Sequence, residues 1–379
     1  MNDDGRDREE LEALRRRIDA ADAALVELLA ERRRVVEQVG ELKRARGLPL
    51  YHPAREEDLI SRRRGQGEAA GLDPDLVEDV FRRLLRSSRV AQSRSLAYHG
   101  VRPGAAVLLV GGQGSMGRGL QGWFRTAGYE VRVLERDDWE RAGELAAGVD
   151  LAVLAVPIDA TAEAASRLGP HLAPDCVLAD ITSVKTGPLH AMLAAHPGPV
   201  VGLHPMFGPT TTTMDKQIVV VTPGRREEDC LWVLEQLAAW GAVLVQATAE
   251  EHDEVMAVVQ ALRHFASFAF GQFLCRQGVA LTRTLDFSSP IYRLELGMVG
   301  RLFAQDPGLY AEIVFATPER RALLRRYLES VAENLAMIET GDKDAFVREF
   351  RRISEWFGPF GDQAIRESSY LIEKLVERF

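Results

Sequence analysis

Between Arg8 and Lys43 no proline occurs and the only glycine is Gly40. Leu11, Leu14, Ile18, Ala21, Leu25, Leu28, Val35, Val39 and Leu42 recur at alternating steps of three and four, lining one narrow face of a single long helix. Arg32 is the polar member of that seam. The breaks "GLPLYHP" (Gly47–Pro53) and "GEAAGLDPD" (Gly67–Asp75) predict a second helix from about Ala54 and a third from Asp75 to about Ser95. A first helix so much longer than its successors cannot complete a compact bundle within one chain. Its seam predicts a partner.

"AYHGVRPG" (Ala97–Gly104) reads as a linker, and the pattern then changes. Strand-like runs occur at Val107–Val110, Glu130–Leu134, Leu151–Ala155, Val177–Ile181, Val200–Leu203, Ile218–Thr222 and Val243–Val245. Helical stretches separate most of them, predicting a mainly parallel sheet with helices on both faces. From about Ala247 to Phe379 the sequence is helical again. The expected chain is multidomain: all-α over 1–96, a linker at 97–104, an α/β Rossmann-type domain over 105–246 and an all-α region over 247–379.

Composition narrows the function. At 46% hydrophobic and 27% charged residues the chain reads as soluble and globular. "MNDDGRDREE" has no secretory apolar core, and no apolar run approaches a membrane span. Cys176, Cys230 and Cys275 are dispersed without metal-type spacing, which predicts no metal site and suits a reducing cytoplasm. Net charge is −9, yet residues 1–95 hold 20 Lys+Arg against 20 Asp+Glu. The triplets Arg15–Arg17, Arg32–Arg34 and Arg62–Arg64 therefore lie in a neutral region, without the basic face that nucleic acid requires.

In "VLLVGGQGSMG", Gly112, Gly114 and Gly117 form GxGxxG after a strand and at the start of a helix, with Ser115 and Met116 inside the turn. The first glycine is expected to permit the tight turn, the second to let backbone approach a pyrophosphate, and the third to let helix and strand pack closely. Glu135, 18 residues past Gly117, suits the ribose hydroxyls of NAD and would repel a 2′-phosphate, although Arg136 stands beside it. A sharp turn with no ligand, or an S-adenosylmethionine site on the same fold, would also explain the glycines.

"VVGLHPMFGP" places His204 at the C-terminal end of a late strand, where α/β sheets border their ligands. It can take a hydroxyl proton while hydride leaves the same carbon, or simply bond to turn backbone. "DITSVKTGP" offers Ser183 and Lys185 at another strand end. His252 and His264 lie 12 residues apart on or near one helix, each compatible with a structural role. Arg301, beside Gly297 and Gly300 in an apolar segment, requires an anion: a ligand, or an internal partner such as Glu295 or Glu312. Arg293 shares roughly that face.

These segments carry a resemblance. "GGQGSMG", "SVKTGPL", "GLHPMFGP", "EHDEVMAVVQALRHFASFAFG" and "SSPIYRLELGMVGRLFAQDP" resemble the prephenate dehydrogenases of tyrosine biosynthesis. "ALRRRIDAADAALVELLAERRRVVEQVGELK", "AREEDL" and "SSRVAQ" resemble the all-helical chorismate mutases, so the whole chain is similar to bifunctional enzymes of that pathway. The resemblance implies rearrangement of chorismate to prephenate, then NAD⁺-dependent oxidative decarboxylation to 4-hydroxyphenylpyruvate. It places Arg15, Arg32, Lys43, Arg55, Glu56, Ser88 and Gln92 at the mutase site, with Lys43 and Gln92 toward the ether oxygen. It implies that His204 accepts a hydrogen bond from the ring hydroxyl and that Arg301 holds a substrate carboxylate. Ser183, Lys185 and His264 fall near substrate or cofactor. His52 stands where some relatives have aspartate and receives no role. A homodimer and inhibition by tyrosine are further expectations. The rivals are a hydroxyacid or imine dehydrogenase whose first 95 residues are a coiled-coil adaptor, and a non-enzymatic NAD sensor.

Overall fold

The computed structural model describes residues 3–45, 53–96, 100–211 and 213–376. The chain divides into two compact units. One holds Met1–Val156, Ala160–Thr182 and Gly187–Ala247; the other holds Pro157–Asp159, Ser183–Thr186 and Thr248–Phe379.

The first unit opens with helices α1 (Asp3–Ala45), α2 (Pro53–Ala69) and α3 (Pro74–Leu96). α1 runs unbroken because nothing in it forbids helical backbone. Its seam stays in solvent, with Ile18 60% and Leu28 67% exposed. α3 packs against both α1 and α2, and Ile60 on α2 is buried.

Seven strands follow: β1 (Ala106–Val110), β2 (Glu130–Leu134), β3 (Leu151–Leu154), β4 (Val177–Asp180), β5 (Val200–Pro205), β6 (Ile218–Arg225) and β7 (Val243–Gln246). Their order is β2-β1-β3-β4-β5-β6-β7. All neighbours are parallel except β5 and β6, which pair antiparallel with an irregularity at Val200/Val201. β1, β3 and β4 are buried at every position, as strands covered on both faces must be, so β1 and β3 read as unbroken apolar runs and β4 as one up to its terminal Asp180. The core continues into an aromatic cluster in which the Phe124 and Trp240 rings meet edge to face at 4.9 Å.

The second unit is helical from Ala249 to Val376, with one π-helical turn at Ala257–Leu262. Phe315, Ile338 and Trp356 are 69%, 65% and 78% exposed. Among the described residues no helix is long and apolar enough to cross a membrane.

Candidate active sites

α1, α2 and α3 bring most of the mutase candidates together. Arg32 Nη1 donates to Ser88 Oγ at 2.7 Å, and that hydroxyl donates to the Leu84 carbonyl at 2.7 Å. At the end of α1, burial and then the Arg55 guanidinium lower the Lys43 ammonium below the usual lysine range, while the Glu56 carboxylate pulls the other way. Lys43, Arg55 and Glu56 thus share one electrostatic neighbourhood. Arg15 does not join them. It pairs with Glu12 at 2.9 Å on its own exposed stretch of α1. The Gln92 side chain and His52 lie outside the described residues.

Sequence reasoning missed Arg89. Only 9% exposed, it binds both Glu56 oxygens through Nη1 and donates to Asp215 through Nε at 3.1 Å. Its position beside Ser88 in "SSRVAQ" was the available signal; its acceptor Asp215 lies 126 residues away, beyond any local pattern.

The glycine turn has the expected cradle. Left-handed backbone falls at Gly111 (φ +78°), one residue before the GxGxxG, an addition to the three glycines that the spacing singles out. A Cβ on Gly117 would lie 2.6 Å from the Gly111 carbonyl oxygen and 2.7 Å from Gly112 Cα, so only glycine lets the helix Ser115–Thr126 start this close to β1. Ser115 and Met116 form its first turn, preceded by Gly114 in extended conformation. That helix has no side-chain cap, which leaves its first N–H groups available to a pyrophosphate. Glu135 follows β2 directly and accepts the Gln113 N–H at 2.7 Å, which fixes the acid beside the turn. The residues present fit a dinucleotide.

His204 lies on β5, 3% exposed and opposite Val220 of β6. In the second unit Lys185 is fully buried and Ser183 half-buried. Asp253 shapes that segment by accepting the Lys185 and Thr186 N–H groups at 2.8 and 2.9 Å. Burial would raise its carboxyl, but hydrogen bonds from His252 and Thr186 outweigh that and hold it below the usual range. His252 bonds to Asp253 at 2.9 Å. Asp253 itself had no signal in the sequence beyond its adjacency to His252.

His264 is 7% exposed and meets the Tyr310 ring edge to face at 4.7 Å. Burial, aided by Arg263, pushes its imidazole down to about 4, so it is neutral at physiological pH. It borders a cavity of about 490 Å³ walled by Phe265, Phe268, Phe303, Tyr310 and Phe315. Arg301 is exposed and has no ion-pair partner among the described residues. The internal pairing with Glu312 is not formed; Glu312 instead accepts the Ile158 N–H at 3.1 Å. Open space lies beside Gly297 and Gly300, as a ligand-binding arginine requires. Arg293 instead donates to the Leu285 carbonyl at 3.2 Å.

Residues 14–93 match the chorismate mutase type II family. Residues 130–246 match the prephenate dehydrogenase nucleotide-binding domain, and 248–352 its dimerization domain. The chain is 47% identical to the T-protein of Enterobacter agglomerans over 96% of its own length and 97% of that protein's. It is 42% identical to the T-protein of Haemophilus influenzae, covering 97% of each. The A. aeolicus prephenate dehydrogenase solved with hydroxyphenyl propionate and NAD⁺ shares the fold, with a TM-score of 0.52 at 19% identity over 67% of this chain and 97% of that one. With all three domains matched and both relatives aligned nearly end to end, the chain belongs to the T-protein family and is a bifunctional chorismate mutase and NAD-dependent prephenate dehydrogenase of tyrosine biosynthesis.

Proposed function

We propose that the two reactions use separate residue sets on this chain. The observation that carries the proposal is the Arg32–Ser88 bond together with the Lys43, Arg55 and Glu56 cluster, built wholly from α1, α2 and α3. Rearrangement of chorismate is pericyclic and needs neither nucleophile nor proton transfer. The site must hold a folded dianion and stabilise charge on the breaking ether bond. Arg32, Arg55 and Arg15 supply cations for the carboxylates, and Lys43 with Gln92 faces the ether oxygen. Glu56 accepts from the substrate hydroxyl, and Ser88 fixes Arg32.

For prephenate, His204 accepts the hydrogen bond of the ring hydroxyl and takes its proton as the carbon is oxidised. NAD⁺, held at the Gly111–Gly117 turn with Glu135 on its ribose, supplies the hydride acceptor. Loss of CO₂ then aromatises the ring, which makes the step effectively irreversible. Arg301 holds a substrate carboxylate. Ser183 and Lys185 bind polar groups of substrate or cofactor, and His264 contributes a neutral hydrogen-bonding ring.

α1 also supports a homodimer. Arg15 and Lys43 are 28 residues apart on one straight helix, hence about 42 Å apart, too far for one chorismate to bridge. An antiparallel α1 from a second chain brings its Arg15 to this Lys43 and covers the exposed seam. We further propose inhibition by tyrosine, which shares the phenol of 4-hydroxyphenylpyruvate; the aromatic cavity beside His264 suits such a ring. Burial pushes the Cys176 and Cys230 thiols up to about 12, which keeps both protonated and unreactive.

Paired substitutions test the separation. Lys43→Ala is expected to abolish the mutase while prephenate oxidation continues, and His204→Asn to do the reverse. Loss of both activities from either substitution, with the fold intact, would establish one shared site.

A further inference from the structure

Arg89 ties the helical part of the first unit to its sheet. Arg89, Glu56 and Asp215 side chains are only 11%, 18% and 12% exposed, so their charges meet largely out of water. Nη1 reaches both Glu56 oxygens at 2.8 and 2.6 Å, and Nε reaches Asp215 Oδ2 at 3.1 Å. Glu56 belongs to α2; Asp215 belongs to the connection between β5 and β6 that begins just after His204. The rigid guanidinium fork makes the two bonds interdependent, because orienting one edge orients the other.

Asp215 is anchored by its own surroundings. Its N–H donates to Thr213 Oγ1 at 3.1 Å. The next residue, Lys216, adopts a left-handed φ of 58° and donates its N–H to the Gly241 carbonyl at 2.9 Å. Glu56 also lies in the field of the Lys43 ammonium, which it favours in the charged form. Arg89 fixes the orientation of that carboxylate by contacting both of its oxygens.

We infer that Arg89 is a positioning residue for the mutase reaction and that Asp215 sets its orientation. The affinity of the mutase site for chorismate then depends on a carboxylate of the dinucleotide-binding half. This rests on the reading of Glu56 as a substrate contact.

The test is steady-state kinetics of the full-length protein, with chorismate and separately with prephenate and NAD⁺. Asp215→Asn is expected to raise the chorismate KM about three- to tenfold, with mutase kcat within about twofold and prephenate oxidation unchanged. Asp215→Glu should restore most of the KM. Glu56→Gln separates the two ideas. If it leaves the mutase unaltered, the reading of Glu56 falls and the inference with it. If Glu56→Gln impairs the mutase but Asp215→Asn does not, the inference alone is overturned. A parallel fall of both activities and of Tm in Asp215→Asn also overturns it, by showing only a clamp between structural elements.

Discussion

Arg32 and Ser88, 56 residues apart in sequence, join α1 to α3 through one hydrogen bond of 2.7 Å. Among the described residues the Arg32 side chain donates otherwise only to the Leu84 carbonyl, again through Nη1, at 3.4 Å. Nε and Nη2 are open to a carboxylate. Ser88→Ala removes the latch without touching those donors. Mutase kcat/KM is expected to fall about tenfold, as for loss of about 1.4 kcal/mol, with prephenate oxidation unchanged. An unaltered mutase rate would show that Arg32 needs no latch.

The alkaline limb of the mutase pH profile should report Lys43. Burial and Arg55 lower its pKa, so the charged form is lost at lower pH than for a free lysine. Glu56 raises that pKa, so Glu56→Gln is expected to move the limb lower still. The kcat/KM profile of wild type and variant decides it; a shift to higher pH would remove Lys43 as the titrating group.

Glu135 touches the glycine turn, and on the proposed reading it binds the cofactor ribose. Glu135→Ala is expected to shift the NAD⁺/NADP⁺ ratio of kcat/KM toward NADP⁺ by about one to two orders of magnitude, as for 1–3 kcal/mol. Measuring both cofactors at saturating prephenate tests this. A constant ratio would place the ribose elsewhere.

Asp253 links the Ser183–Thr186 segment to the helix Ala249–Met256. Its folded-state pKa lies below the ordinary value, so its stabilisation is complete above about pH 4 and is lost as pH falls through the folded pKa. Asp253→Asn is expected to cost roughly 2–3 kcal/mol at pH 7 and to lower prephenate oxidation, not the mutase. Urea unfolding across pH checks the sign: the gap to wild type should close only below about pH 4. A gap that widens in acid would contradict the assignment.

Subunit mixing tests the shared mutase site. Arg15→Ala and Lys43→Ala chains, inactive alone, are unfolded and refolded together in equal amounts. Half the dimers should be mixed, each with one site lacking both groups and one intact, returning about a quarter of wild-type mutase activity. Mixed dimers that stay inactive would show that Arg15 acts within its own chain or not at all.

Elements whose burial is set by their own composition were legible in the sequence. β1, β3 and β4 up to its terminal Asp180 read as apolar runs because both faces are covered, and α1 read as a helix because its seam keeps period through Arg32. β6 extends to Arg225, past its apolar run, because Pro223 and Arg225 pair with Val201 and Val200 at the irregular end of β5. Proline and glycine there carry no strand signal. Local pattern singled out the glycine turn, His204 and Lys185 as candidates. It could not select partners: Arg89 finds Asp215, and Asp253 finds the Lys185 backbone, through tertiary approach alone. Gly111 was passed over because the GxGxxG spacing starts one residue later, whereas the backbone reverses at the end of β1.

The uncovered seam of α1 also sets a reaction order. The sheet buries Trp240 against Phe124 within one chain, so the fluorescence of that step follows first-order kinetics at any dilution. On the proposed dimer, the long helix reaches its buried state only when two chains collide. Return of mutase activity after refolding is then second order in protein, its half-time doubling with each twofold dilution. Chorismate turnover becomes a clock for encounter between chains, while burial of Trp240 keeps time for each chain alone.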